Sequence, residues 1–209
     1  MTDAALALLA AARRLAETGL NPGSAGNLSI RTASGFLITP SGIAPEELTA
    51  DMMVPMTLDG AHSGPWPPSS EWRFHRDLYR HRPEAGAIIH CHSPAATALA
   101  CHRRDLPPFH YMILRFGGPD VRCARYARFG TQALSDAVLE ALEGRRACLM
   151  ANHGMLVFGR DLPQALALAQ ELETLCEHYL RACTLGEPVH LTDEEIAEAR
   201  EAIAGYGRR

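Results

Sequence analysis

Residues 85–94 read AGAIIHCHSP, and this stretch decides which fold and which chemistry the sequence predicts. Its apolar start predicts a buried strand, and the final Ser-Pro pair predicts the end of that strand with a helix following. Side chains alternate along a strand, so His90 and His92 are expected on one face and Cys91 on the other. A third histidine, His153, follows a second apolar run, and three imidazoles are therefore expected at strand ends.

Three neighbouring imidazoles are a common donor set of catalytic zinc sites, which use three protein ligands and keep one coordination position open. The sequence therefore predicts a metal enzyme with His90, His92 and His153 as ligands. The alternative is that each histidine is an ordinary hydrogen-bonded residue, since the chain has ten histidines in 209 residues and H-x-H is a short motif. Sequence patterns alone leave both interpretations open.

Composition favours one compact domain that acts on a small molecule. The chain has 209 residues, 47% of them apolar, which is enough to bury about 70% of the unfolded surface as a single domain, residues 1–209. The net charge of −4 provides no basic stripe for nucleic acid or for an anionic membrane. The apolar stretch 4–12 follows Asp3 and precedes Arg13, which fits neither a signal peptide nor a membrane span. Six scattered cysteines predict reduced thiols in the cytoplasm.

Periodicity and turn residues predict an alternation of helices and strands. Helices are expected over residues 2–18, from a Ser69-Ser70 cap to Arg82-Pro83, after Pro94, and over residues 131–142, 163–182 and 193–204. Extended segments are expected in a hairpin at 27–39 and over residues 147–151 and 155–158. In this prediction Glu71 belongs to the first turn of the second helix.

Three loops are rich in small polar residues that let the backbone approach a ligand, and phosphate is the ligand they favour. The residues concerned are Ser24, Gly26, Asn27, Ser41, Gly42, Ser69 and Ser70. Each loop by itself is also explained as an ordinary turn or helix cap, because Ser, Gly and Asn are common there for backbone reasons. Spacing alone does not bring the three loops together.

The motifs in their order along the chain resemble the class II aldolase/adducin family. They are residues 26–31 (GNLSIR), 38–42 (ITPSG), 69–75 (SSEWRFH), 90–92 (HCH), 110–113 (HYMI) and 152–154 (NHG). The resemblance implies an α/β, three-layer fold in which a central, mostly antiparallel sheet is flanked by helices. It also implies a cytoplasmic, zinc-dependent aldolase, assembled as a homotetramer with active sites between subunits.

The family's functional residues carry over to matching positions of this chain. The resemblance implies zinc ligands at His90, His92 and His153, and a catalytic carboxylate at Glu71. It implies phosphate binding by Ser24, Asn27, Ser41, Gly42, Ser69 and Ser70. It implies a catalytic Tyr111 that reaches the site of the adjacent subunit, and aromatic contacts to substrate from Phe129 and Tyr206.

The implied reaction is the reversible cleavage of a ketose 1-phosphate, such as L-fuculose 1-phosphate, to dihydroxyacetone phosphate and a short aldehyde, such as L-lactaldehyde. Zinc would act as a Lewis acid, Glu71 would carry the proton of the enediolate, and Tyr111 would serve the aldehyde half. Other interpretations stay open: Glu71 as an acid that complements a helix dipole, and Tyr111 and Phe129 as interface or core aromatics. His75 is expected to pack on its helix or to support the ligands rather than bind metal.

Two departures and several rival functions accompany the resemblance. Arg125 and Arg128 replace smaller or uncharged residues, and they would either favour an acidic aldehyde or line a solvated subunit edge. Ser24 and Ser41 stand where threonines are usual and keep the hydroxyl. A sugar-phosphate epimerase would have Asp at Glu71, whereas a sugar-phosphate dehydratase or decarboxylase stays open. A non-catalytic, adducin-like interaction domain is disfavoured by the intact histidines.

Overall fold

The computed structural model describes residues 2–205 of the chain and contains six α-helices and seven strands in that range. The helices are α1 (Asp3–Glu17), α2 (Trp72–His81), α3 (Pro94–Cys101), α4 (Gln132–Ala141), α5 (Leu162–Cys183) and α6 (Asp193–Gly205). The strands are β1 (Asn27–Thr32), β2 (Gly35–Ile38), β3 (Val54–Met56), β4 (Ala87–Cys91), β5 (Cys123–Ala124), β6 (Ala147–Met150) and β7 (Gly154–Gly159). Short 3₁₀ turns cover Ala50–Met52 and Tyr111–Phe116.

All seven strands form one sheet in the order β3-β2-β1-β4-β7-β6-β5. Every neighbouring pair is antiparallel except β5 and β6, which are parallel. The predicted hairpin at residues 27–39 corresponds to β1 and β2, with Thr32 opposite Gly35 at its turn. The sheet is therefore mostly antiparallel, as expected, and β4 lies at its centre between β1 and β7.

Helices cover both faces of the sheet and give the molecule two hydrophobic cores. One core joins α1, α3 and α5 to one face and contains Ile89 and Cys91 of β4. The other joins α2 and α4 to the opposite face and contains Ile88 of the same strand. This alternation confirms the strand prediction for residues 87–91 and turns the side chain of His90 toward α2. The three-layer α/β arrangement is confirmed.

The start of α2 differs from the prediction. Glu71 is the residue before the helix, with φ −101° and ψ 15°, rather than a residue of its first turn. Ser69 Oγ accepts a hydrogen bond from the backbone N–H of Glu71 at 3.3 Å, and the carbonyl of Ser69 accepts one from Trp72 N. A turn thus precedes the helix, and Glu71 lies in this turn with its carboxylate facing the histidines.

None of the helices within residues 2–205 combines the length and the apolar character that a bilayer span requires.

Candidate active site

The central strands bring the predicted site residues to one edge of the sheet. Because β1, β4 and β7 are antiparallel neighbours, the start of β1, the end of β4 and the start of β7 lie side by side. Asn27 pairs with His90, and Cys91 pairs with Met155 near the beginning of β7. His153 lies in the turn between β6 and β7. The register therefore collects residues that are up to 126 positions apart in sequence.

His90, His92 and His153 form a tight group in which one ring nitrogen of each lies within 4.8 Å of the others. His90 Nε2 is 3.1 Å from His92 Nε2, and the three ring centroids are 4.8–4.9 Å apart. His90 is fully buried, whereas His92 and His153 are partly buried. The strand alternation predicted for His90 and His92 is confirmed, since Cys91 packs in the opposite core.

The ring orientation of His90 suits a metal ligand. His90 Nδ1 donates a hydrogen bond to the Met155 carbonyl at 2.8 Å, so Nε2 is the ring nitrogen that faces the group. This Nε2 faces His92 Nε2 at 3.1 Å and Glu71 Oε2 at 3.2 Å. A shared proton or a metal ion among these three atoms offsets the repulsion between their electron pairs.

The spacing of these nitrogens fits a divalent transition metal. Two nitrogens bound to one tetrahedral zinc at about 2.0–2.1 Å stand roughly 3.3 Å apart, close to the separation between His90 and His92. Imidazole also suits zinc and its first-row neighbours better than it suits magnesium or calcium. His90, His92 and His153 can therefore hold a metal ion.

Glu71 lies against this group with one carboxylate oxygen engaged and the other free. Oε2 accepts a hydrogen bond from Asn27 Nδ2 at 3.0 Å. Oε1 is buried 3.4 Å from His153 Nε2 and accepts no hydrogen bond from the described residues. A buried carboxylate oxygen without a partner is costly, and this one faces the side where a metal and a substrate would lie.

The ionisation states match a metal site at neutral pH. Burial raises the pKa of Glu71, but the nearby His90 and His153 and the Asn27 hydrogen bond outweigh burial and lower the pKa to about 2. Burial, followed by repulsion from His90, lowers the pKa of both His92 and His153 to about 4. These two histidines are therefore neutral, as metal ligands must be, and the carboxylate is ionised.

The three polar loops meet around one pocket of about 330 Å³ beside the histidines. An antiparallel bridge between Pro40 and Pro68 aligns two of the loops, and Ser41 N donates to the Pro67 carbonyl at 3.1 Å. The predicted residues that line the pocket are Ser24, Gly26, Asn27, Ser41, Gly42, Ser69, Ser70, Glu71, His92, Phe129 and His153. The convergence that spacing left open is thus present in the structure.

The close approach of the first loop depends on Gly26. Its φ is +75°, and a Cβ at this position would lie 2.6 Å from the His90 carbonyl oxygen. No side chain fits there without moving the end of β4, so Gly26 lets the loop reach the histidines.

Three aromatic residues from the prediction have different locations. Phe129 lines the pocket with 64% of its surface exposed. Tyr111 is 50% exposed and lines a separate groove with Leu191 and Ile203, away from the pocket of its own chain. Tyr206 lies outside the described residues.

The two unusual arginines do not line the pocket. The side chain of Arg125 is 60% exposed, and its Nε lies 3.5 Å from Glu140 Oε2. Arg128 is exposed as well. Of the expected alternatives, this placement favours a solvated edge over a contact with an acidic substrate.

Sequence reasoning missed several residues of the site. Tyr126, Ala127 and Asn152 also line the pocket, and Asn152 has a left-handed backbone with φ +54°. The sequence signal that could have identified Asn152 as a site residue is its position next to His153. The buried contact between His75 and Asn27, with His75 Nε2 2.6 Å from Asn27 Oδ1, had only a weak signal, the one-turn spacing of Glu71 and His75.

A mostly antiparallel sheet flanked by helices, with three histidines and a carboxylate at one edge, indicates a metal-dependent enzyme. The family model described as Class II Aldolase and Adducin N-terminal domain matches residues 6–180, and the chain belongs to that family. The family resemblance stated from the motifs is confirmed.

Relatives with known names agree. The 5-methylthioribulose-1-phosphate/5-deoxyribulose-1-phosphate aldolase of Rhodospirillum rubrum is 47% identical over 200 residues, which is 96% of this chain and 90% of the relative. The L-fuculose phosphate aldolase of Escherichia coli (strain K12) is 45% identical over 192 residues, 91% of this chain and 89% of the relative. The chain is therefore an enzyme of the class II, metal-dependent aldolase type, a carbon–carbon lyase.

A solved structure of L-fuculose 1-phosphate aldolase superposes with a TM-score of 0.93 at 40% identity, covering 98% of this chain and 97% of that chain. Within the family, the sequence motifs most resemble those of L-fuculose-1-phosphate aldolase, and the superposition confirms this likeness together with the fold class.

Proposed function

We propose that this chain is a zinc-dependent aldolase that reversibly cleaves a ketose 1-phosphate to dihydroxyacetone phosphate and a short aldehyde. One observation carries the proposal: Glu71, an ionised carboxylate with one oxygen that accepts no hydrogen bond from the described residues, lies between three imidazoles and a pocket lined by three small polar loops. Metal, base and anion site are the three parts that such a cleavage needs.

The polar loops would bind the phosphate of the ketose. Ser24, Ser41, Ser69 and Ser70 supply hydroxyl donors, and Gly42 exposes a backbone N–H without a side chain in the way. Asn27 supplies an amide N–H. Binding at the phosphate would orient the ketose so that its carbonyl end lies toward the histidines.

His90, His92 and His153 would hold the cation, and Glu71 would move the proton. When bound, a divalent cation supplies Lewis-acid stabilisation of the negative charge that develops on the ketose oxygens as the carbon–carbon bond breaks. In condensation, Glu71 Oε1 would remove a proton from the carbon of dihydroxyacetone phosphate that attacks the aldehyde; in cleavage, it would first take up a proton from solvent and then deliver it to the same carbon. Ionisation of Glu71 at neutral pH suits the condensation direction.

Aromatic residues would complete the aldehyde side. Phe129 would contact the aldehyde from within the chain. Tyr111 would act in the site of an adjacent subunit and carry the hydroxyl proton of the aldehyde half, since it lies away from the pocket of its own chain. We also propose that the chain forms one domain over residues 1–209 and assembles as a homotetramer. Tyr206 would contact the substrate. Six free thiols suit the reducing cytoplasm.

Candidate substrates come from the named relatives. One relative is named for L-fuculose phosphate, and the other for 5-methylthioribulose 1-phosphate and 5-deoxyribulose 1-phosphate. All are ketose 1-phosphates with the same phosphate end and different aldehyde ends. We propose L-fuculose 1-phosphate or one of these two pentulose phosphates as the substrate of this chain.

The test is a coupled assay for dihydroxyacetone phosphate with these three ketose 1-phosphates and zinc-loaded protein. We expect release from at least one, its loss on chelation and its return with zinc. The test variant is His92→Asn, which removes one proposed ligand and should abolish the release. The matched control is His81→Asn at the exposed end of α2, which should leave the release unchanged. Release of water or carbon dioxide without dihydroxyacetone phosphate would contradict the proposal and identify a dehydratase or decarboxylase.

A further inference from the structure

We propose that His75 is a positioning residue that, through Asn27, fixes which oxygen of Glu71 faces the reacting atoms. The inference rests on the proposed function, in which Glu71 carries the proton. His75 lies on α2, one helical turn after Glu71, and is fully buried. It does not line the pocket and is not one of the three grouped histidines, so its contribution would pass through its neighbours.

A continuous chain of buried hydrogen bonds runs from Tyr79 to Glu71. Tyr79 Oη lies 2.9 Å from Ser29 Oγ, and Ser29 Oγ lies 2.7 Å from His75 Nδ1. On the other side of the ring, His75 Nε2 lies 2.6 Å from Asn27 Oδ1. Asn27 Nδ2 then donates to Glu71 Oε2 at 3.0 Å.

The donors in this chain can point in only one consistent direction. Glu71 is ionised and only accepts, so Asn27 must turn its amide nitrogen toward Glu71 and its oxygen toward His75. His75 Nε2 must then carry the proton and donate to Asn27. A neutral His75 accepts at Nδ1 from Ser29, whose own oxygen accepts from Tyr79. Every donor thus points toward Glu71.

Burial keeps His75 in this single state. Burial, followed by repulsion from His90, lowers the pKa of His75 to about 3, so the ring stays neutral at neutral pH. Phe74 stacks on His75 with ring centroids 4.8 Å apart and restricts its rotation. The proton on Nε2 therefore locks the Asn27 amide against a flip, because a flipped amide would place two donors face to face.

The fixed orientation of the Asn27 amide determines the surroundings of the two Glu71 carboxylate oxygens. Asn27 engages Oε2 of Glu71 and leaves Oε1 without a hydrogen-bond partner among the described residues. With the amide locked, Oε1 is the oxygen available for proton transfer in every molecule. The second N–H of Asn27 stays available to the pocket, which Asn27 also lines.

Two isosteric variants separate positioning from packing. In His75→Gln the terminal amide reaches as far as Nε2 and can still donate to Asn27. In His75→Asn the amide reaches only as far as Nδ1, so the contact with Asn27 is lost. Both variants lose the stacked ring. His81→Asn, which removes an exposed imidazole from the same helix, is the control for helix effects.

With zinc-loaded protein, we expect His75→Asn to lower kcat about tenfold while KM changes less than about threefold, because serine hydroxyls of other loops still hold the phosphate. His75→Gln should restore kcat to within about threefold of the wild type. Metal content should match the wild type in both variants. An equal loss of kcat in Gln and Asn variants, or full kcat in His75→Asn, would overturn the inference.

An activity-independent measurement completes the test. Nitrogen NMR of ¹⁵N-histidine-labelled protein should show His75 as the neutral Nε2–H tautomer at pH 7, and an Nδ1–H tautomer or a protonated ring would overturn the inference. If His75→Asn does not fold, Ser29→Ala replaces it, with a mixed His75 tautomer and kcat lowered about threefold as the expected result. An unchanged tautomer and kcat in Ser29→Ala would count against the inference.

The two proposals fail in different ways. Wild-type protein that releases no dihydroxyacetone phosphate contradicts the proposed function. Active wild-type protein whose His75→Asn variant keeps full kcat contradicts only the positioning role.

Discussion

Glu71 has two carboxylate oxygens in different surroundings, and this asymmetry sets its chemistry. Oε2 is 3.2 Å from His90 Nε2 and accepts a hydrogen bond from Asn27, whereas Oε1 faces His153 and accepts none from the part of the chain that the structure describes. The helix-dipole interpretation of Glu71 does not account for this placement, because the residue precedes α2 and its side chain makes no capping hydrogen bond.

Replacing Glu71 by glutamine tests its proton transfer. Glu71→Gln keeps the side-chain volume and removes the base, so we expect kcat for cleavage to fall by about 100-fold or more. The measurement is dihydroxyacetone phosphate release at saturating zinc, with metal content determined on the same samples. A kcat within threefold of the wild type would rule out the proposed role.

Gly154 tests how tightly β7 packs on the end of β4. An added Cβ would lie 2.6 Å from the Cys91 carbonyl oxygen and 2.8 Å from His92 Cδ2. Gly154→Ala should therefore push His92 out of the ligand group and weaken zinc binding about tenfold. Competition with a chromophoric chelator measures the affinity, and an unchanged affinity would contradict this account.

At the scale of single residues, prediction from the sequence worked where local geometry was sufficient. Strand alternation alone separates His90 and His92 from Cys91. The contacts of His75 with Ser29 and Asn27 join positions 46 and 48 residues apart, and no local pattern encodes them. They depend on the packing of α2 against β1.

Among the elements, α3 depends on a carboxylate from another helix. Glu173 of α5 accepts hydrogen bonds from Ser93 Oγ at 2.6 Å, Ala95 N at 2.7 Å and Ala96 N at 2.9 Å. These groups form the first turn of α3, where backbone N–H groups have no partner within the helix. Because His92 immediately precedes this turn, Glu173 also holds the end of β4 in place.

Removing the charge of Glu173 should destabilise the protein. Glu173→Gln weakens three hydrogen bonds to an ionised acceptor and the favourable interaction with the helix N-terminus, so we expect a loss of about 2 kcal/mol in the free energy of unfolding. Urea denaturation of the metal-free protein measures it. The control is Glu177→Gln on the same helix, whose exposed ion pair with Arg181 should contribute less than about 0.5 kcal/mol. Equal effects in both variants would contradict the capping role.

Prediction of elements was accurate for helices with strong caps. Thr131 caps α4 and Asp161 caps α5 by accepting backbone hydrogen bonds, and both helices agree with the periodicity. The start of α2 was placed wrongly because the Ser-Ser-Glu motif looks like a helix cap. Ser69 Oγ instead accepts a hydrogen bond from Glu71 N in the turn before the helix, so Glu71 lies outside the helix.

For the whole molecule, the buried histidines predict acid sensitivity of the metal-free protein. The pKa values of His92 and His153 are lowered from 6.5 to about 4, and that of His75 to about 3. Between these values and 6.5 the unfolded chain binds protons that the folded chain does not. The free energy of unfolding is therefore expected to be full above pH 6.5 and to fall as the pH decreases toward 4.

Urea denaturation of metal-free protein at several pH values between 7 and 4 measures this loss. His92→Asn should reduce the slope of stability against pH, whereas His81→Asn should leave it as in the wild type. A stability that stays constant from pH 7 to 4 would contradict the pKa shifts.

The overall fold was predictable from the family resemblance. Local sequence patterns by themselves predicted only the individual helices and strands. Apolar runs and turn residues indicate the strands, but the sheet order β2-β1-β4-β7 depends on pairings across long stretches of chain. That order is what brings Asn27, Ser41 and His153 to one pocket. Loop composition favoured an anion site in each loop without showing that the loops meet.

The placement of the imidazoles on β4 and on the turn before β7 also has a mechanical meaning. An ion shared by His90 and His153 would join two points about 60 residues apart, a removable cross-link comparable with a disulfide that restricts the denatured chain by about 4 kcal/mol. Loss of the ion would then remove more than catalytic activity. It would also destabilise the middle of the sheet and make the polypeptide more susceptible to proteases.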